Sequence, residues 1–174
     1  MDEPKNTAAE EAFWGFSLAF YERPEVAEAL ITLQDRDGFD VNVILFALWI
    51  GLSGRGVLFG DLLTAALREA AALRTEIVEP LREFRRKLRN HPDKNVQQLR
   101  KGVKALELAG ERLVQRRLAW LAGSANADAS PELRQAAART NLALYLGAAA
   151  APGREAAAIF QALDAFAGIP SPRL

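Results

Sequence analysis

The chain has 174 residues, no cysteine and one histidine, and its 22 basic residues balance its 22 acidic residues. This length fits one domain that can bury a sizeable core without disulfides or structural metals. The lack of cysteine excludes thiolate metal sites and cysteine nucleophiles, and it fits a reducing compartment. The N-terminus is acidic and polar rather than basic and then apolar, so we expect no export signal and a cytoplasmic protein.

The composition predicts helices. Alanine, leucine, glutamate and arginine are abundant, whereas the residues that favour strands are scarce. We therefore expect an all-α, single-domain bundle over residues 1–174, with frayed ends at 1–8 and 170–174. The longest apolar run, 43–52, is about ten residues long and falls short of the roughly 20 that cross a bilayer. We expect no transmembrane segment.

Three helices are predicted in the first third of the chain. Aromatic residues at helical spacing indicate a first helix over 9–22. Pro24 suits the first position of a short second helix, which ends in the polar run 34–38. Asp40 is a candidate N-cap for a third helix over 41–52, which is apolar nearly all round. Other elements must enclose this third helix, so we expect it at the centre of the bundle.

The middle of the chain predicts a long antiparallel helical hairpin. Its first arm begins near Asp61 and carries apolar residues at steps of three and four. Pro80 lies inside this arm, and we expect a kink or a break near 77–79. Asp93 is a candidate cap for the second arm, in which the same spacing continues to Leu113. We expect the tip of this hairpin to project from the bundle.

Two more helices are predicted after the loop at 123–129. Ser130 and the proline after it are typical of a helix start, and this sixth helix extends to about residue 150. A proline and glycine at 152–153 separate it from a last helix around Phe160. The total is about seven helices, with no strand and no internal repeat.

Motifs for catalysis and for metal binding are missing from the sequence. It has no glycine-rich phosphate loop, no nucleophile elbow and no Glu-x-x-His pair, so we expect no catalytic residue, metal or cofactor. His91 lies in a turn without a second histidine, which favours a solvated side chain. Glu107 and Glu111 are one helical turn apart and could form a base or an Mg²⁺ site. Salt bridges are the favoured interpretation, with three neutralising candidates: Arg100, Lys104 and Arg112.

Polar residues inside apolar helices are the first functional signal. Asn42 lies among apolar residues of the third helix, and Asn141 and Tyr145 form a polar pair four residues apart on the sixth. A buried amide needs hydrogen-bond partners, which either fix the packing of the helices or include a ligand. We favour the packing role for Asn42. The second interpretation predicts a ligand pocket lined by Trp14, Asn42, Phe46, Trp49, Asn141 and Tyr145.

Segregated charge is the second signal. Residues 1–40 hold ten acids and three bases, whereas residues 82–104 hold nine bases and two acids. The bases either bind a partner or form a solvated face that pairs with the acidic part of the chain. Nucleic acid is the weaker choice because the patch holds one aromatic residue, Phe84. The predicted patch for an acidic protein partner comprises Arg82, Arg85, Arg86, Lys87, Arg89, Arg100, Lys101 and Lys104.

One dense pattern resembles a known family. It comprises Phe13-Trp14-Gly15-Phe16-Ser17-Leu18, Tyr21, Pro24, Val26, Ala29, Leu33-Gln34-Asp35, Gly38, Asp40-Val41-Asn42, Leu45-Phe46 and Trp49. This pattern is similar to that of a bacterial family, the domain of unknown function 2390, with looser similarity over 82–111 and 141–145. The resemblance implies a small cytoplasmic protein of Proteobacteria. It carries no activity, cofactor or partner to any residue.

Three functional hypotheses follow from these signals. The leading one is a non-enzymatic interaction module, an adaptor, regulator or assembly factor that binds an acidic protein through the basic arm. A homodimer is compatible with it. The alternative is a small-molecule-binding protein or enzyme that takes an apolar or anionic ligand in the aromatic-lined pocket. A peripheral membrane protein or an oligomeric structural protein ranks last, because the hairpin itself uses the apolar face of 62–88.

Overall fold

The computed structural model describes residues 7–150 and 153–166, without the side chains of 148–150. The helices are α1 (Thr7–Tyr21), α2 (Val26–Asp37), α3 (Val41–Leu52), α4 (Gly60–Leu73), a π-helical turn (Arg74–Val78), α5 (Glu79–Lys87), α6 (Lys94–Leu121), α7 (Pro131–Ala150) and α8 (Arg154–Asp164). Since α4, the π turn and α5 are continuous, the described residues form seven helices and no strand, which confirms the predicted all-α, single-domain fold.

The predicted frayed ends fall mostly on residues that the structure does not describe. Residues 1–6 and 170–174 lie outside the described ranges. Thr7 and Ala8 lie inside them and form the start of α1. The fraying predicted for 1–8 and 170–174 therefore stays a prediction.

Helix α3 is the centre of the core, as its all-round apolar sequence predicts. Every residue from Asn42 to Leu52 is buried. Phe13 of α1 stacks on Trp49, with 5.0 Å between the ring centroids. On the α7 side, a Cβ atom at Gly51 would lie 2.2 Å from the backbone nitrogen of Ala138. Only a glycine lets the two helix backbones approach so closely.

Predicted caps begin three of the helices. The side chain of Asp40 accepts a hydrogen bond of 2.8 Å from the backbone N–H two residues later, and Asp93 accepts one of 2.7 Å in the same way. Ser130 accepts one of 3.3 Å from the N–H three residues later. These bonds satisfy N–H groups that a helix start leaves free, so they fix where α3, α6 and α7 begin.

The start of α2 differs from the prediction. The helix begins at Val26 and not at Pro24, because Glu25 has a φ of 65° in the left-handed region. The chain turns first, and the N–H of Val26 donates to the carbonyl oxygen of Arg23 at 3.2 Å. At its other end α2 stops at Gly38, whose φ of 75° suits a helix C-terminus.

The irregularity predicted near 77–79 is a π turn over Arg74–Val78. Pro80 lies two residues after it and lacks the N–H that would continue the α-helical pattern. The wider turn pushes Val78 towards α6, where a Cβ atom at Gly110 would lie 3.3 Å from the Val78 Cγ2 atom. Further along, the Gln97 amide of α6 donates to the Leu88 carbonyl oxygen at 3.1 Å. The α4–α5 segment thus packs along α6.

Candidate functional site

A cleft of about 570 Å³ opens between five helices, α1, α2, α3, α5 and α6. The volume lies within the roughly 300–1,000 Å³ of typical small-molecule sites. The cleft sits over the N-terminal end of α3, where Val41 and Asn42 reach its wall. We call it the α3 cleft. Its walls come from α1, α2, α5 and α6, which surround the start of the buried helix.

One side of the α3 cleft is apolar. Trp14 and Leu45 line its wall. Its mouth carries three large apolar side chains that are unusually open to solvent: Leu18 is 46% exposed, Ile31 is 46% exposed and Leu108 is 54% exposed. Apolar side chains that gather around one opening form a patch suited to burying an apolar molecule.

A chain of hydrogen bonds forms the polar side of the α3 cleft. The Gln115 Nε2 atom donates to the Asn42 Oδ1 atom at 3.1 Å, and the Asn42 Nδ2 atom donates to the Glu111 Oε2 atom at 2.5 Å. Gln115 is 5% exposed. Its Oε1 atom is buried and accepts no hydrogen bond from the described residues. An unmet buried acceptor in a cleft wall is uncommon, because most buried polar atoms are paired.

Two arginines of α5 extend this chain to the rim. Arg82 donates to Glu111 at 2.7 Å and to Glu107 at 3.1 Å, and Arg85 donates to both Glu107 oxygens. The four side chains are only 11–24% exposed, so these pairs are little screened by solvent. Burial raises the pKa of Glu107 less than the hydrogen bonds from Arg85 and Arg82 lower it, so its pKa falls below the ordinary value. Burial raises the pKa of Glu111, which Arg82 offsets only in part.

A second, smaller cavity of about 410 Å³ adjoins the α3 cleft. Arg82 lies in the walls of both. The walls of the smaller cavity are mostly charged, and Arg74 there lies 3.5 Å from Asp40 and 3.3 Å from Glu79. The charged cavity therefore adjoins the polar side of the α3 cleft, with Arg82 in the wall that the two share.

Asp40 connects this region to α7. Burial raises the pKa of its carboxyl group, and the Arg74 guanidinium opposes that rise. Its backbone N–H donates to the Tyr145 hydroxyl oxygen at 2.9 Å. Burial raises the pKa of Tyr145 to about 12. Tyr145 thus holds the start of α3 against α7 from outside the α3 cleft.

The structure separates the six residues of the predicted ligand pocket. Trp14 and Asn42 line the α3 cleft. Phe46 and Trp49 are fully buried in the core beside Phe13. Asn141 is also fully buried but contacts the loop after α3. The other four residues therefore do not line the α3 cleft, because Phe46 and Trp49 are buried in the core while Asn141 and Tyr145 lie on α7.

Asn141 instead holds backbone groups. Its Oδ1 atom accepts from the Leu58 N–H at 2.6 Å, and its Nδ2 atom donates to the carbonyl oxygens of Ala47 at 3.0 Å and Gly56 at 3.1 Å. These three hydrogen bonds all join the side chain to backbone atoms of α3 and the loop that leaves it. Of the two interpretations of a buried asparagine, the packing role describes Asn141.

The eight residues of the predicted basic patch divide into two groups. Arg82 and Arg85 are partly buried and paired with Glu107 and Glu111 in the α3 cleft. Arg100 is partly buried, and the other five are exposed: Arg86, Lys87, Arg89, Lys101 and Lys104. Arg86 lies 3.8 Å from Asp35 of α2, which links the patch to the acidic first part of the chain.

The salt bridges expected for Glu107 and Glu111 do form, but with other partners. Both glutamates pair with arginines of α5 rather than with bases of their own helix. Arg112 instead pairs with Glu11 of α1 at 2.6 Å. Neighbours on one helix are visible in the sequence, whereas a partner on an adjacent helix depends on how the two helices pack.

Sequence reasoning missed several residues of the α3 cleft, chiefly Gln115 and the apolar residues Leu18, Ile31 and Leu108. A signal for Gln115 was present. It lies four residues after Glu111, which lies four after Glu107, so the three share one face of α6. The apolar residues carried no comparable signal, since their spacing matches that of ordinary core positions.

The described residues also bear on metal binding, membrane spanning and the histidine. Within residues 7–150 and 153–166, there is no group of three or more side chains suited to hold a metal ion. In the same part of the chain, no helix is long and apolar enough to cross a membrane. His91 is exposed, as predicted, and its Nδ1 atom accepts a hydrogen bond from the backbone N–H of Asp93 at 3.2 Å.

Comparison with known families identifies the chain. Residues 12–118 match the family described as Protein of unknown function (DUF2390), a match that covers more than half of the chain. The chain therefore belongs to this family. Comparisons with curated proteins and with solved structures gave no match. The matched range contains every residue that lines the α3 cleft, from Trp14 to Gln115.

Proposed function

We propose that this DUF2390 protein binds a small molecule in the α3 cleft. The observation that carries the proposal is the combination of a small-molecule volume with an apolar mouth and a hydrogen-bonded polar wall. Most ligand sites share this arrangement, in which apolar surface supplies affinity and a few polar groups set orientation. A cytoplasmic location in a proteobacterial cell is part of the proposal, which the lack of cysteine supports.

The exposed mouth residues support a ligand rather than an unused surface. Leu18, Ile31 and Leu108 come from three different helices and converge on one opening. Burying apolar surface is favourable by about 25 cal/mol per Å². A ligand that covers these side chains would gain that free energy, together with contact on the Trp14 ring.

The test uses the uncharged fluorescent probe N-phenyl-1-naphthylamine and two matched variants. Leu108→Trp fills the mouth, whereas Leu144→Trp makes the same change at a site outside the cleft wall with similar exposure, 51% against 54%. We expect the probe to bind the native protein and Leu144→Trp, and to bind Leu108→Trp at least tenfold more weakly. Equal binding by all three proteins would refute the proposal.

Native mass spectrometry provides an independent check. The protein is purified gently from a bacterial host and weighed under native and denaturing conditions. We expect an added mass that denaturation removes, present in Leu144→Trp and absent from Leu108→Trp. An identical adduct in both variants would place its binding site outside the α3 cleft and contradict the proposal.

A second candidate, binding of an acidic protein, rests on a different observation. Lys87, Arg89 and Lys101 are exposed near the turn between α5 and α6, and no ion pair joins them to other described residues. Unpaired surface cations attract acidic partners, especially at low salt. We propose this surface as an adaptor or regulatory contact that could act beside the cleft.

Its test reverses the three charges together, as Lys87→Glu, Arg89→Glu and Lys101→Glu, and measures binding of fluorescent poly-L-glutamate at low salt. Arg68→Glu, on the exposed face of α4, is the control. We expect the triple variant to lose binding and the control to retain most of it. Unchanged binding by the triple variant would eliminate the candidate.

A further inference from the structure

The side of α5 and α6 that faces away from the α3 cleft carries three large apolar side chains that are open to solvent. Phe84 is 45% exposed, Leu99 is 53% exposed and Leu106 is 59% exposed. None of the three lines the cleft or belongs to the main hydrophobic core. Large apolar side chains that gather on an exposed face are typical of an interaction surface.

The helical geometry places these side chains on one face. Successive residues of an α-helix are rotated by about 100°, so residues two positions apart lie on opposite sides. The residues two positions before and after Leu106 line the α3 cleft, and so do those two positions before and after Phe84. Leu106 and Phe84 therefore point away from the cleft. Leu99 lies seven residues before Leu106, about two turns, and shares its side of α6.

Contacts between α5 and α6 show which residues of the two helices lie level. Val78 packs on Gly110 at one end, and Leu88 is bonded to Gln97 at the other. Phe84 lies between these two contacts along the chain. It is therefore level with about residue 102 of α6.

Residue 102 is a glycine, and it leaves a notch in the apolar face. A Cβ atom at Gly102 would have nothing within 4 Å. Leu99 and Leu106 lie about one turn to either side of Gly102, so they are about 10 Å apart along the helix. We call Phe84, Leu99, Gly102 and Leu106 the outer seam.

The charges around the outer seam indicate the kind of partner. Residues 84–106 hold eight lysines and arginines against one acid, Asp93, whose side chain caps α6. Lys87 and Lys101 are exposed, and no ion pair holds them within the described part of the chain. A second copy docking through the same seam would bring eight more bases to it, and like charges repel. An acidic partner would be attracted instead.

The shape of the outer seam fits a helix. A groove between two packed helices can take the apolar face of a third, amphipathic helix. The distance of about 10 Å between Leu99 and Leu106 matches anchors seven residues apart on such a helix. The notch at Gly102 has room for a side chain between these anchors, as in the packing of knobs into holes.

From this geometry we infer that the outer seam binds an acidic amphipathic helix of another protein. Its apolar side chains pack on Phe84, Leu99 and Leu106, and its carboxylates face the bases of 84–106. The inference rests on the second candidate function, binding of an acidic protein, and adds to it the partner's secondary structure and the apolar contacts.

Two fluorescein-labelled peptides test the inference. Both consist of glutamate, alanine and leucine in the same proportions, and both are held helical by a hydrocarbon staple. One has its leucines at steps of three and four, on one face, whereas the other has them spread around the helix. Binding is measured by fluorescence anisotropy at low salt. We expect the native protein to bind the amphipathic peptide at least tenfold more tightly than the spread one.

Protein variants separate the apolar contacts from the charges. Leu99→Ser together with Leu106→Ser removes two apolar contacts and keeps every charge. The matched control is Leu133→Ser together with Leu144→Ser on α7, where the leucines are 65% and 51% exposed. We expect the seam variant to bind the amphipathic peptide at least tenfold more weakly and to bind poly-L-glutamate as the native protein does. The control should bind both as the native protein does.

Gly102→Gln gives the same test without removing any apolar side chain. Glutamine fills the notch and favours helix more than glycine does, so the variant should be at least as stable as the native protein. We expect its affinity for the amphipathic peptide to fall about tenfold. Circular dichroism checks that every variant is folded.

The outcomes separate this inference from the candidate function on which it rests. Equal binding of the two peptides would overturn the helical partner, and unchanged peptide binding by the double seam variant or by Gly102→Gln would overturn the outer seam as its site. In each case binding of poly-L-glutamate would leave the acidic partner in place, whereas loss of all three probes would overturn both. Sedimentation of the native protein as a dimer that the double seam variant abolishes would identify a second copy as the occupant and overturn the inference.

Discussion

Replacing Asn141 with leucine tests whether this buried asparagine stabilises the packing of the helices, whereas Asn42 lines the α3 cleft. The side chain is fully buried and makes three hydrogen bonds to backbone atoms, including one that satisfies the Leu58 N–H. Losing three bonds costs about 1 kcal/mol each, and an unpaired buried N–H adds about 1–3 kcal/mol. The apolar leucine returns roughly 1–2 kcal/mol. We expect Asn141→Leu to lower the free energy of unfolding by about 3 kcal/mol.

The assay is urea unfolding followed by far-UV circular dichroism. Thr140→Leu is the control, because Thr140 is the exposed neighbour of Asn141 on the same helix, and we expect a change within about 0.5 kcal/mol. The folded Asn141→Leu protein should still bind N-phenyl-1-naphthylamine with native affinity. A loss of stability below about 1 kcal/mol would refute the packing role, and so would a loss of probe binding by the folded variant.

Three further predictions concern close packing and titration. Gly51→Ala should lower the melting temperature by many degrees, since its Cβ atom would meet the Ala138 backbone. Gly102 lies on α6 with open space around it, so Gly102→Ala should raise the free energy of unfolding, measured by thermal unfolding, by up to about 1 kcal/mol. In a spectrophotometric titration, Tyr145 should ionise with a pKa of about 12. The free energy of unfolding should fall as the pH rises from 10.0 towards that value, because Tyr145 ionises in this window only in the unfolded chain. Tyr145→Phe should remove both the late phase of the titration and this loss of stability. The lowered pKa of Glu107 stabilises the fold at pH values above the ordinary pKa of 4.5, and this stability is lost as the pH falls below it. In an acid titration, the free energy of unfolding of Glu107→Gln should therefore fall less steeply than that of the native protein. The same slope in both proteins would count against the ion pairs.

The fold was predictable from sequence because its signals are local. Helix starts depend on caps such as Asp40 and Asp93, and the burial of α3 follows from an apolar sequence on all sides. The π turn was predictable in place but not in form. Pro80 shows that the α-helical hydrogen bonding must be interrupted near this point. The packing of Val78 on Gly110, which the sequence does not show, determines that the interruption takes the form of a π turn.

The site was less predictable because it depends on which side of a helix faces which neighbour. Asn42 and Phe46 are one turn apart on a helix that is apolar all round, so no periodicity shows that one reaches the α3 cleft and the other the core. The partners of Glu107 and Glu111 come from α5, about 25 residues earlier in the chain. Such pairs are set by the packing of two helices, not by spacing along one.

The π turn also determines how far α5 is rotated relative to α4 about the axis of their long helix. Successive residues of an α-helix are rotated by about 100°, so one extra residue accommodated in a single turn offsets everything after it by that angle. With the turn present, Ala70 faces the core while Arg82 faces Glu107 and Glu111. Converting Arg74–Val78 to a regular α-helical turn with the same number of residues would leave the helix continuous yet rotate the whole of α5 about its axis by about 100°. The hydrophobic packing of α4 and the ionic wall of the cleft are thus coupled through a local insertion, and reverting that turn to a regular α turn would rotate Arg82 away from Glu107 and Glu111 with no change in any residue that lines the cleft.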